Sequence, residues 1–160
     1  MFHPSLRDTF YRAIDPQFAE SAIVGSRLAG RYSRPGEPTL YLSSSIEGVE
    51  AAMIAHSDSR VASLQIVNID VEADNIFDLR DGDALAKAGI DIADAVASWQ
   101  DVVKAGGTPR SWKVRDRLLK LGANGLIDPS RKRPGLWHLV LFRWNDADGP
   151  RVKVHKSERE

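Results

Sequence analysis

Residues 30–45 read GRYSRPGEPTLYLSSS and place two arginines, two tyrosines and a run of serines in and after a loop bounded by glycine and proline. A turn needs Gly and Pro for its geometry but has no need of guanidinium or phenol groups. Arg31 and Arg34 each carry a planar fork of N–H donors that matches phosphate or carboxylate oxygens. The loop therefore has the chemistry of one wall of an anionic-ligand site, such as one that holds a diphosphate. Arginines that are solvated or paired with surface acids are the common alternative. Tyr41 lies between two leucines, where it is either a core tyrosine with a satisfied hydroxyl or a ring that stacks on a flat base or pyridinium. Tyr11 and Tyr32 pose the same choice.

Further polar groups follow. Residues 45–56 have the pattern of a helix, with Ser44 as N-cap and Glu47 completing a capping box. On that helix Ile46, Val49 and Met53 form the inward stripe, and Glu50 falls about 40° from Ile46, on its margin. A carboxylate there is costly unless paired or solvated. Glu50 is thus a candidate partner for a cationic intermediate or for Arg31, with simple solvation as the alternative. His56, on the other margin, offers an imidazole donor or acceptor, or caps the helix C-terminus. Ser130 follows Pro129 and precedes Arg131, Lys132 and Arg133, where it can donate to a phosphate or carboxamide or serve only as a turn residue.

Other chemistries lack their residues. There is no cysteine, which removes thiolate catalysis and Cys-ligated zinc. The histidines (His3, His56, His138, His155) form no H-E-x-x-H pattern, and no metal is expected. No G-x-S-x-G elbow, G-x-G-x-x-G turn or Walker A lysine loop occurs.

The elements that must position these groups alternate in type. Residues 9–13, 39–43, 61–71, 75–79, 125–127 and 137–144 read as strands, the last central, and 151–155 as an edge strand. Residues 83–105 hold one or two Ala-rich helical segments. In residues 111–125 (SWKVRDRLLKLGANG), Trp112, Val114, Leu118 and Leu121 recur at near-helical spacing, with Gly122 as the C′ residue. Residues 17–29 read as irregular or weakly helical. The order predicts a mixed α+β fold, with mostly antiparallel sheets and flanking helices, rather than a βαβ series.

At 160 residues the chain fits one domain, residues 1–160. Lys plus Arg equals Asp plus Glu at 22 each, so no global basic excess argues for a nucleic-acid partner. No apolar run of about 18 residues predicts a membrane span. The N-terminal residues lack the apolar core of a secretion signal, and the expected location is the cytoplasm.

In this order, Y-R-A at residues 11–13, G-R-Y-x-x-x-G at 30–36, L-Y-L-S at 40–43, a helix, G-L-I-D-P-S at 125–130 and an apolar strand, the motifs resemble the RES-domain family over residues 9–144. These are toxins of bacterial toxin–antitoxin pairs, and the nearest branch is ParT-like. The resemblance implies the ADP-ribosyltransferase toxin fold and NAD as co-substrate. It also implies either ADP-ribose transfer to a protein, phosphoribosyl pyrophosphate synthetase in that branch, or NAD breakdown by hydrolysis or phosphorolysis. The implied partner is an antitoxin of the Xre/ParS-like kind whose toxin-binding region blocks the pocket.

By resemblance Arg31, Glu50, His56 and Ser130 are catalytic candidates, while Arg12, Arg31, Tyr32, Tyr41 and Ser130 bind NAD. The family's glutamate is expected eleven residues after the tyrosine, a slot that is Ala52 here. Either Glu50 substitutes through a shifted register, or the acid is dispensed with, or the chain is an inactivated variant. His138 is a second departure, where a small polar residue is expected. Two other readings stay open: a non-catalytic nucleotide- or protein-binding module, and an RNA-cleaving toxin, against which the zero net charge counts.

Overall fold

The computed structural model describes residues 1–17, 22–55, 64–129 and 135–155, with 51–55 as helical backbone. Its strands are β1 (Phe2–His3), β2 (Leu6–Ile14), β3 (Leu40–Ser43), β4 (Gln65–Ala73), β5 (Ile76–Asp78), β6 (Gly125–Pro129), β7 (Trp137–Leu141) and β8 (Arg151–Val154). The helices are α1 (Ile46–Ala55), α2 (Gly82–Ala88), α3 (Ile92–Val96), α4 (Gln100–Lys104) and α5 (Arg110–Lys120).

The strands form one sheet in the order β1-β5-β6-β7-β3-β2-β4-β8. The β5–β6 pair is parallel, and every other pairing among the described residues is antiparallel. This is the mixed α+β, mostly antiparallel architecture that the sequence predicts. β7 is central and β8 an edge, as read from the pattern, although β7 stops at Leu141 rather than at residue 144.

Strict alternation sorts the strand residues to two faces. Leu40, Leu42, Ile69, Val71, Ile76, Ile127, Leu139, Leu141 and Val152 pack together on one face, with Phe10 and Trp137. β4 and β5 lie far apart in the sheet order yet are joined by only two residues, Asp74 and Asn75, so the sheet curls with that face inside. The other face presents Phe77, Leu126, Val140 and Tyr41 to Ala84 and Ala88 of α2, Ala95 of α3, and Val114 and Leu118 of α5.

The 83–105 region is three short helices rather than one or two, because Asp81 and Asp91 cap new starts and Gly89 ends α2 at φ +69°. α5 ends as its sequence suggests. Gly122 adopts φ +92°, and the N–H groups of Gly122 and Ala123 donate to Leu119 and Leu118, closing a Schellman motif. None of the described helices is long and apolar enough to cross a membrane.

Candidate functional site

The arginine loop lies outside the ladder, so its backbone groups need other partners. α5 supplies them. Trp112 Nε1 donates to the Gly30 carbonyl at 2.8 Å, Ser111 Oγ to the Arg31 carbonyl, and Arg115 Nη1 to the Tyr32 carbonyl at 2.9 Å. Arg115 also donates to Thr39 Oγ1 at 2.5 Å, and its guanidinium lies over the Phe142 ring. Arg115 is buried, which pushes its pKa down, opposed by the Glu37 carboxylate. One turn of helix thus satisfies three consecutive loop carbonyls.

Tyr41 closes the loop from the sheet. Its hydroxyl accepts from the Tyr32 N–H at 3.1 Å and shares a hydrogen bond with Ser33 Oγ at 2.8 Å. Burial pushes its pKa up. The hydroxyl sits so close to Gly30 that a Cβ there would lie 2.6 Å from it, which is why the loop opens on glycine. The half-buried Arg31 is held at its tip, where Nη1 donates to the carbonyls of Ala95 (3.0 Å) and Ala97 (2.7 Å) at the C-terminal end of α3. These carbonyl acceptors orient the guanidinium, and the helix terminus favours a cation.

A polar row crosses the sheet beside this loop. Asp128 pairs in register with His138, His138 with Ser43, and Ser43 with Tyr11. Directly paired residues share a face, here that of Tyr41. The buried Asp128 carboxylate accepts from the Tyr32 hydroxyl at 2.8 Å, and Ser43 Oγ lies 3.0 Å from His138 Nδ1. α1 covers the end of the row, with Gly48 against the Ser43 side chain. Its cap is Ser45, not Ser44: Ser45 Oγ accepts from the Gly48 N–H at 3.0 Å, so Glu47 is one position early for a capping box.

The structure brings together Arg31 and Tyr41, and ties them through Tyr32 to Asp128, two positions before Ser130. Ser130 itself and His56 lie outside the described residues. Three other candidates go elsewhere. Tyr32 is fully buried and bonded to Asp128, so its ring is part of the core. Arg12 alternates with Tyr11 onto the opposite face of the sheet, where its Nη1 holds the Ala22 carbonyl at 2.8 Å and burial pushes its pKa down.

Glu50 is exposed. It follows Gly48 by two residues, a rotation of about 200°, and so points away from Ser43. Ile46 precedes Gly48 by two and is exposed for the same reason, so the inward stripe is set by Gly48 and Val49 instead. Position 52 follows Gly48 by one turn, about 200° round the helix from Glu50.

Sequence reasoning missed the α5 residues that hold the loop, and it passed over Asp128 and Ser43. Their signal is register, which only pairing reveals. Arg34, read as a possible anion ligand, makes a bidentate pair with Asp116 at 2.8 Å. Among the described residues no group of three His, Asp or Glu side chains could hold a metal ion.

Among solved structures, the crystal structure of the M.tuberculosis MbcT-MbcA toxin-antitoxin complex contains a similar chain. The two align with a TM-score of 0.65 and 18% identity over 97% of this chain and 85% of that one, a likeness of fold. No curated protein matches the chain. The RES domain profile matches residues 9–160, nearly the whole length, and includes the arginine loop, the polar row and α5. The chain belongs to the RES-domain family.

Proposed function

We propose that this protein is the toxin of a toxin–antitoxin pair and cleaves the nicotinamide–ribose bond of NAD, passing ADP-ribose to a cellular protein. Family membership supports the toxin reading, as does the likeness to a chain from a toxin–antitoxin complex. The observation that carries the chemistry is Arg31, a guanidinium fixed by two carbonyls at the C-terminal end of α3 in a loop pinned by Tyr41.

In this reading Arg31 holds the diphosphate of the substrate, the Tyr41 ring packs against nicotinamide or its ribose, and Ser130 orients a phosphate or the carboxamide. The bond between the ribose anomeric carbon and nicotinamide breaks with its electron pair leaving on nicotinamide, through an oxocarbenium-like transition state. The acceptor nucleophile then bonds to that carbon and gives up its proton, for which His56 is the base. The acceptor is a protein such as phosphoribosyl pyrophosphate synthetase, and modification arrests growth. The partner is an antitoxin of the Xre/ParS-like kind whose segment blocks the site in the cytoplasm.

A second reading, NAD breakdown, is favoured by one observation. Glu50 faces outward and position 52 is alanine, so neither position adds a carboxylate to His56 as base for an acceptor. Inorganic phosphate is already an anionic nucleophile and needs no such base.

Incubation of the purified protein with NAD tests both readings, with release of nicotinamide expected and intact NAD overturning them. Labelled NAD in a cell lysate separates them: label on a discrete protein band means transfer, and soluble ADP-ribose or its phosphorylated form means breakdown.

A further inference from the structure

We infer that the first turn of α5 is a positioning device for Arg31, with Ser111 and Trp112 as positioning residues. The inference rests on the reading of Arg31 as the anion-holding group.

Arg31 is gripped at both ends by one helical layer. Its own carbonyl accepts from Ser111, and the carbonyl just before it accepts from Trp112 Nε1. Its guanidinium tip donates to the carbonyls of Ala95 in α3 and of Ala97 at its C-cap. α3 and α5 are packed together through Ala95 and Val114, and Arg110 Nε lies 3.6 Å from Asp94 Oδ1 across their starts. A long side chain has several rotatable bonds, and fixing both its root and its tip on one rigid body leaves few conformers. That is what a site working by preorganised charge requires, because displacement of a charged group by about 1 Å can cost on the order of a hundredfold in rate.

The donors are unusual for a purely structural contact. Ser111 is fully buried at a helix start, and its hydroxyl serves a residue eighty positions away. Trp112 turns its single polar atom to the same loop while its ring carries the Arg34 guanidinium at 5.5 Å. A core position needing only volume would be filled by alanine and leucine. The structure places two directed donors on adjacent carbonyls, at the residue whose charge the chemistry uses.

The test compares wild type with Ser111→Ala, Ser111→Thr and Trp112→Phe by nicotinamide release from NAD, thermal midpoint, and the side-chain Nε–H NMR signal of Arg31, assigned by its loss in Arg31→Ala. Ser111→Ala is expected to lower kcat/KM about tenfold to a hundredfold and to shift or broaden the Arg31 signal. Ser111→Thr, which keeps the hydroxyl, is expected to restore both. Full activity of Ser111→Ala, or an Arg31 signal that does not move in it, overturns the inference. If Ser111→Ala does not fold, Trp112→Phe, which removes the donor to Gly30 together with part of the ring under Arg34, carries the same test. If wild type leaves NAD intact, the proposed reaction fails, and the Arg31 signal alone decides: moved in the folded variants, the inference stands; unmoved, it falls.

Discussion

The arginine loop and helix α1 border the same face of the sheet but are held by different physics. The loop buries the Tyr32 ring, and the backbone around Arg31 is fixed by directed hydrogen bonds from Ser111, Trp112, Arg115 and Tyr41. α1 begins with a single serine cap, lays Gly48 on Ser43 and buries Val49, while Ile46 and Glu50 face water. The difference teaches where charge can be put to use. A guanidinium with both ends fixed is preorganised, whereas a carboxylate on the outer side of a helix is solvated and spends its field on water.

The sharpest way to break this comparison is to remove each charge. Arg31→Ala is expected to lower NAD cleavage by about 10²–10³-fold, or about 2.7–4 kcal/mol in barrier, with the protein still folded. Glu50→Ala is expected to leave the rate within about twofold, as for a surface substitution. Nicotinamide release and far-UV circular dichroism check both. A folded, fully active Arg31→Ala protein, or an inactive Glu50→Ala one, reverses the roles assigned to the two walls.

A second substitution asks whether α1 can be made the acidic wall. Position 52 lies one helical turn beyond Gly48, so Ala52→Glu puts a carboxylate where a register shift from Glu50 cannot. General-base assistance is worth on the order of 10²–10⁴-fold, and a gain at the low end, about 10²-fold, is expected in the rate of transfer to a protein acceptor. Labelled NAD in a lysate reads it. An unchanged rate would mean that the helix acid has no part in the reaction of this chain.

What the sequence made legible follows the same division. Strands with clean alternation, such as LYLS and WHLVL, were readable because one face is buried against the curled inside and the other against helices. Gly122 was readable because only a left-handed residue closes α5. Arg31 and Tyr41 were readable as site candidates because a loop seldom needs those groups. The candidates that lie elsewhere share a cause. Arg12 is a candidate by resemblance and Glu50 by helix spacing, but one alternation in a strand and about 200° on a helix turn them away from the arginine loop and Ser43. Tyr32 looked like a ligand-stacking ring because its partner, Asp128, is 96 residues distant. The clamp of Ser111 and Trp112 reads as ordinary helix periodicity and carries no local signal. Register and long-range pairing are properties of the assembled sheet, and no single segment encodes them.

A smaller effect probes the pin at the root of the loop. Gly30→Ala would push a methyl group to 2.6 Å from the Tyr41 hydroxyl and 2.9 Å from Ser33 Oγ. Overpacking of this kind costs about 1–3 kcal/mol. Tyr41→Phe alone loses the acceptor of the Tyr32 N–H, at about 1–2 kcal/mol. Since the clash is with that hydroxyl, the double variant should be less destabilised than the sum of the two. Thermal or urea unfolding of the four proteins checks it, and simple additivity would mean that the close approach is not what selects glycine.

The smallest expected effect separates Arg31 from its neighbour Arg34. Arg34 is bonded through both terminal nitrogens to Asp116 at 2.8 Å, and it holds the Asp116 carboxyl below its usual range, chiefly through that hydrogen bond. A depressed carboxylate contributes stability that is fully present above its unfolded pKa, about 3.9, and is lost as pH falls through the lower folded value. The pair is partly exposed, with Asp116 at 46%, so solvent screening leaves it worth only about 0.5 kcal/mol. Asp116→Asn should therefore lower the unfolding free energy slightly at pH 7, and the difference from wild type should shrink toward zero as pH falls through the lowered folded value. NAD turnover should stay nearly constant, because Arg34 is engaged at the surface with Asp116 while Arg31 is held separately by the Ala95 and Ala97 carbonyls. A loss of turnover in Asp116→Asn comparable to that of Arg31→Ala would show that the two guanidinium groups act as one unit and that the pairing of Arg34 is part of the site.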